Sequence, residues 1–158
     1  MMMSGKLDRR LFLGAAAGLA LVPLPIAAAD DKPKIRVFKS PTCGCCGLWV
    51  EHLTSNGFDV TAEDVVDLDQ IKQMAGVPDR LRACHTAMID GYTIEGHIPA
   101  SAISKLIAER PAIRGLAVPG MPAGSPGMPS ATPERYDVIA FGEEEDQVFM
   151  SFIEADQQ

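Results

Sequence analysis

Apolar positions along the chain change period several times, and each change marks an element. Ile35-Arg36-Val37-Phe38 is a short β-like run that stops at Lys39-Ser40-Pro41. From Cys43 onward the residues Cys43, Cys46, Val50 and Leu53 recur at helical spacing until Asn56-Gly57, and Thr42 stands where a capping residue belongs. Phe58 to Ala62 alternates as a half-buried strand does, and Leu68, Ile71, Lys72 and Ala75 predict a second, short helix ended by Gly76 and Val77-Pro78. Two apolar runs, Cys84 to Ile89 and Tyr92 to Gly96, flank Asp90-Gly91, a pair that favours a tight β-hairpin. Pro99 to Arg110 reads as a third helix with Ile103, Leu106 and Ile107 on its buried face. The predicted order is β-α-β-α-β-β-α, a βαβ unit followed by a ββα unit.

Between Val118 and Pro133 five prolines and three glycines exclude a regular element. This Pro/Gly/Met-rich loop carries Met121 and Met128, and two strand-like runs follow it, Tyr136 to Phe141 and Gln147 to Ile153. Glu143-Glu144-Glu145-Asp146 joins them as the solvated tip of a hairpin appended to the sheet. No internal repeat is evident.

Ahead of all this stands a different pattern. Lys6, Arg9 and Arg10 precede the apolar run Leu11 to Val22, and small residues Ala27-Ala28-Ala29 close it. That layout is expected of an export signal spanning residues 1–29. The run is about a dozen residues, short of the roughly 20 a spanning helix needs, so a retained membrane anchor is the weaker alternative. Arg9-Arg10-Leu11-Phe12-Leu13 resembles a twin-arginine signal, although Asp8 occupies a place where that pattern has Ser or Thr. The expected product is one domain, residues 30–158, delivered to the periplasm without stable membrane insertion.

Composition narrows the chemistry. With 158 residues, 47% of them hydrophobic and 22% charged, the chain suits one globular domain and not a disordered polymer. Its formal charge of -7 opposes nucleic-acid binding, and loss of Lys6, Asp8, Arg9 and Arg10 would make the remainder two charges more negative. Three of the four cysteines crowd into Cys43-Gly44-Cys45-Cys46, and the fourth is Cys84.

Cys43 and Cys46 form a CxxC pair directly after a strand and at the start of a helix, where unpaired N–H groups and the helix dipole favour thiolate. This is the placement of a thioredoxin-type redox site. Cys45 adds a sulfur that such a site does not need. In a thioredoxin-like fold Cys84 and His85 would face the helix start, where thiolates and imidazole together form a nest for soft metals such as Cu(I) or zinc. Two structural disulfides are the plainer alternative for the cysteines. His85 is balanced between ligand and packing residue, since neighbours in a strand point to opposite faces, and His97 between ligand and exposed loop residue. Met121 and Met128 are thioether donors or adaptable filler in a proline-rich cover. Trp49 shields the helix start, and His52 lies too far along the helix to share a ligand role.

Lys39-Ser40-Pro41-Thr42-Cys43-Gly44-Cys45-Cys46 with Trp49, Cys84-His85-Thr86 with Asp90-Gly91-Tyr92, Glu95-Gly96-His97-Ile98-Pro99, Gly115 to Pro122 and Gly124 to Met128 resemble the CopG-type family of periplasmic copper-resistance proteins. The resemblance runs from about Ile35 to Phe141. It implies a thioredoxin-like domain whose cysteines hold copper, as a multinuclear thiolate-bridged Cu(I) cluster, with a role in copper redox conversion. Cys43, Cys45, Cys46 and Cys84 carry over directly, and His85, His97, Met121 and Met128 fall in matching motifs. Copper ions and other periplasmic copper-handling proteins are the implied partners. The rival reading is thiol–disulfide exchange, with Cys43 as nucleophile and Cys46 as resolving thiol.

Overall fold

A computed structural model describes residues 31–153. The export-signal reading of residues 1–29 lies outside the described residues. Seven strands form one sheet in the order β2-β1-β3-β4-β5-β6-β7: β1 Lys34–Lys39, β2 Asp59–Asp64, β3 His85–Ile89, β4 Tyr92–Glu95, β5 Gly115–Ala117, β6 Tyr136–Phe141 and β7 Gln147–Phe152. The helices are α1 Gly44–Ser55, α2 Leu68–Met74 and α3 Ala100–Glu109, with a short 3-10 turn at Asp79–Leu81. The β-α-β-α-β-β-α order expected from the hydrophobic pattern is therefore present, and the fold is mixed α/β.

Connection lengths dictate the pairing. The crossover through α1 makes β1 and β2 parallel, whereas β3 runs antiparallel to β1 and the two-residue turn makes β4 antiparallel to β3. Asp90 and Gly91 both take positive φ, 49° and 86°, as a two-residue hairpin turn demands. The third helix returns the chain so that β5 lies parallel to β4, and the C-terminal hairpin β6–β7 joins the sheet through β5. Strand β5 was not anticipated: three residues, Gly115-Leu116-Ala117, are too few to show a period, and they form a strand because β4 offers them a free edge.

Sheet alternation divides the interior. Ile35, Val37, Ala87, Ile89, Ile94 and Leu116 point to the face covered by α1 and α3, where Trp49, Leu53, Ala102, Ile103 and Leu106 meet them in the main core. On the opposite face Thr93 donates to the carbonyl of Ala75, and Ala75, Val77, Leu81, Ala117 and Phe141 make a smaller cluster beside α2. β2 departs from the expected half-buried strand. It is a sheet edge with mostly exposed residues, tied to β1 by Arg36–Glu63 and Lys39–Asp64 ion pairs.

Local signals set the helix ends. Asp67 caps α2 by accepting from the Gln70 N–H, and Gly57 follows the Asn56 terminus of α1 with φ 87°. Thr42 does not cap α1 as expected. The Ser40–Cys43 turn, closed by the Cys43 N–H to Ser40 O bond at 3.1 Å, advances the start by one residue and makes Cys43 the N-cap, while the Thr42 hydroxyl meets Ser40 Oγ.

Candidate metal centre

Four loops meet at the start of α1. The β1–α1 turn supplies Cys43, and the first turn of α1 supplies Cys45 and Cys46. The segment entering β3 supplies Cys84 and His85, and the β4–α3 connection supplies His97. The Pro/Gly/Met-rich segment brings Met121 from the outside.

Cys45 Sγ lies 3.5 Å from Cys43 Sγ, 3.9 Å from Cys84 Sγ and 3.9 Å from Met121 Sδ, so it is the hub of the sulfur cluster. Cys43 and Cys46 are joined by a disulfide, with Cα atoms 5.4 Å apart, while Cys45 and Cys84 are free. The expected four convergent sulfurs are thus present, but in this state two of them are bonded to each other. Neither two structural disulfides nor four free thiols describes it. Spacing explains the pairing, because residues i and i+3 at a helix start fall within bridging range, whereas adjacent Cys45 and Cys46 do not pair readily.

Cys84 is shared between two donor groups. The ligand atoms of Cys43, Cys45, Cys46 and Cys84 lie within 4.8 Å of one another, and so do those of Cys84, His85 and His97. Cys84 Sγ is 3.1 Å from His97 Nε2 and 3.3 Å from His85 Nδ1. His85 was expected to point away from Cys84 if the strand alternated strictly. It does turn to the core face, where its ring centroid lies 4.2 Å from that of Trp49 with the planes tilted by 39°, yet its Nδ1 still reaches back to the thiol. The exposed-loop alternative for His97 is overturned, because the side chain is fully buried.

The tautomer of His97 follows from its neighbours. Ser125 has one hydroxyl proton, and it goes to the Pro122 carbonyl at 2.7 Å, an acceptor only. Ser125 Oγ must then accept from His97 Nδ1–H, 3.3 Å away. His97 Nε2 is left with its lone pair aimed at Cys84. His85 Nε2 is buried with no hydrogen-bond partner, an arrangement that costs free energy unless a further group arrives.

Electrostatics keep Cys84, His85 and His97 neutral near pH 7. Burial, with the nearby Cys45 adding to it, pushes the Cys84 thiol up to about 12, and Lys72 opposes the shift. Burial pushes His85 down to about 3, assisted by His97 and Lys72, and burial alone takes His97 down to about 4. A soft cation would displace the thiol proton and take up unprotonated imidazole nitrogens, the chemistry that this donor set fits.

The outer methionines divide. Met121 is half-exposed with its sulfur at Cys45, whereas the backbone of Met128 closes its own loop, donating to Ser125 O and accepting from Gly124 N. Its neighbour Gly127 presses on the helix start: a Cβ there would lie 2.5 Å from Cys45 O. Trp49 is fully buried and donates its indole N–H to Ile98 O at 2.8 Å, so it walls the site as expected. His52 Nε2 accepts from the Ala100 N–H, which makes it a cap of α3, away from the sulfurs.

Sequence reasoning missed Ser125 and the buried group Lys72, Thr86 and Glu95. A signal existed for Lys72 alone, which shares the helical spacing of Leu68, Ile71 and Ala75, whereas Glu95 alternates with Ile94 onto the polar face of its strand and reads there as exposed. Ser125 had none, because a serine in a Pro/Gly-rich run reads as loop.

A family model described as a protein of unknown function, DUF411, matches residues 81–128, the stretch holding Cys84, His85, Glu95, His97, Met121, Ser125 and Met128. No curated protein matches the chain. Two solved structures titled as forms 2 and 1 of the copper resistance protein CopG are each 40% identical to it and cover 77% of it. The chain covers 99% and 98% of those structures, with TM-scores of 0.74 and 0.73. At that identity over nearly the full length of its relatives, with the cysteine cluster in place, this chain belongs to the CopG family.

Proposed function

We propose that the protein is a periplasmic copper-binding protein that holds Cu(I) at Cys43, Cys45, Cys46 and Cys84, with His85, His97 and Met121 completing the donor set and Met128 beside it. The observation that carries this reading is the convergence of two donor groups on one shared thiol, Cys84, next to a buried imidazole nitrogen that lacks a partner. Soft thiolates, imidazole and thioether together select Cu(I) over hard cations, and the relatives are named for copper resistance. Clustered donors suit more than one ion bridged by thiolate. The pattern of residues 1–29 supports export, and among the described residues no helix is long and apolar enough to cross a membrane. The strand order β2-β1-β3-β4, with β3 antiparallel to β1, supports the thioredoxin-like description of the core.

A role in copper redox conversion is part of this reading. The Cys43–Cys46 disulfide takes up two electrons and two protons to give the dithiol, and four free sulfurs exist only in that reduced state. Anaerobic Cu(I) titration of the reduced protein against a competing chelator tests the proposal. Binding tighter than micromolar is expected, and none at that level sinks it.

The disulfide also favours a second reading, a thiol–disulfide oxidoreductase that uses Cys43 and Cys46. Cys45→Ser and Cys84→Ser separate the two. Both variants lose copper stoichiometry under the first reading, and both keep insulin-type disulfide reduction under the second.

A further inference from the structure

Behind Cys84, on the sheet face away from Trp49, lies a closed polar group that the copper reading does not use. Lys72 Nζ donates to Glu95 Oε1 at 2.6 Å and to Thr86 Oγ1 at 3.0 Å, and the Thr86 hydroxyl donates to Glu95 Oε2 at 2.7 Å. Glu95 Oε1 accepts a further bond from the Ala83 N–H at 2.6 Å. The Lys72 and Glu95 side chains are 5% and 0% exposed, so this ion pair is desolvated on both sides.

Burying such a pair is expensive, and well-packed apolar residues would serve stability as well or better. What apolar residues cannot do is hold backbone. Strand β3 begins at His85, so Ala83 and Cys84 stand outside its ladder. Glu95 is the direct cross-strand partner of Thr86, and its carboxylate reaches past that residue to the Ala83 amide. One carboxylate therefore ties the residue before Cys84 and the residue after His85. We propose that Glu95, neutralised by Lys72, is a positioning residue for copper binding: it brackets the Cys84–His85 segment from both ends, so the shared thiol and its imidazole neighbour are in place before the metal arrives. This inference rests on the copper reading.

The test compares full-length variants in Cu(I) titration against a chelator, with thermal unfolding of the copper-free protein alongside. Lys72→Met/Glu95→Leu removes the bracket without stranding a charge, and Lys72→Met/Glu95→Gln keeps an acceptor for Ala83 and a partner for Thr86. The Leu double variant is expected to lose roughly 10–100-fold in Cu(I) affinity, as loss of ligand-orienting partners does, with little change in Tm. The Gln double variant recovers most of that loss. Wild-type affinity in the Leu variant overturns the proposal, and so does a Gln variant as weak as the Leu variant, which would assign the effect to charge. Should the Leu variant fail to fold, Thr86→Val cuts one arm of the bracket, and wild-type affinity there overturns the proposal equally.

Amide exchange in the copper-free protein separates this failure from failure of the copper reading. Faster exchange at Ala83 and Cys84 in the Leu variant than in the Gln variant supports the bracket whether or not copper binds. Equal exchange in the two overturns it.

Discussion

The two sides of Cys84 are built on opposite principles. Toward the helix start it meets Cys45, with the partly exposed Cys43 and the half-exposed Met121 beyond, groups that make long contacts of 3.5–3.9 Å. Toward the sheet, the Lys72–Thr86–Glu95 group is buried, and its ties are 2.6–3.0 Å. One side is open and ready to rearrange around a guest, and the other is closed and satisfied. Soft donors must change partners as metal enters and leaves, whereas their support must not move if each entry is to find the same geometry.

The largest expected effect falls on the residue common to both sides. Cys84→Ser removes the donor shared by the two ligand groups, and Cu(I) stoichiometry measured by titration should collapse while far-UV circular dichroism is unchanged. Full stoichiometry in that variant would mean that the sulfur and imidazole groups act separately. Next comes the closed side: Glu95→Ala alone leaves the Lys72 ammonium buried without its counter-charge and should cost about 3–5 kcal/mol in chemical denaturation. A cost below 1 kcal/mol would show that water reaches Lys72 and that the closed side is not closed.

The imidazoles give a third, pH-dependent effect. His85 and His97 titrate at about 3 and about 4 in the fold but near 6.5 when unfolded. Between those values the unfolded chain binds more protons, so stability rises with pH through that window. The contribution is fully present above about pH 6.5 and is lost as the pH falls toward 4 and then 3. Denaturation of the copper-free protein at pH 7 and pH 4.5 should show the loss, and His97→Gln should flatten the slope.

Smaller changes probe the cover. Gly127→Ala has no room against Cys45 O, and its φ of 90° disfavours a side chain, so the loop must lift and thiol alkylation at Cys45 should quicken. Ser125→Ala removes the acceptor that holds His97 Nδ1–H, at a cost of about 1 kcal/mol. Nitrogen chemical shifts of His97 should then show mixed tautomers, and an unchanged single tautomer would sink that assignment.

Periodicity along the chain was enough for the helices, the Asp90-Gly91 hairpin and the C-terminal β6–β7 hairpin, because each is encoded by local alternation and local turn chemistry. The CxxC at a helix start was equally legible, since strand, turn and helix follow one another within a dozen residues. So was the candidacy of Cys84, His85, His97 and Met121, as residue types that can hold a soft metal.

Long-range neighbours decided the rest. Whether His85 packs or reaches the thiol depended on how β3 enters the sheet below Trp49, and the answer was both. The fate of His97 depended on a serine 28 residues further along. The role of Glu95 depended on cross-strand register with Thr86 and on a lysine presented by α2. A sequence lists the groups that can ligate, donate or accept. The burial that costs them their water, and the partner that repays that cost, are set when separate segments close on one another.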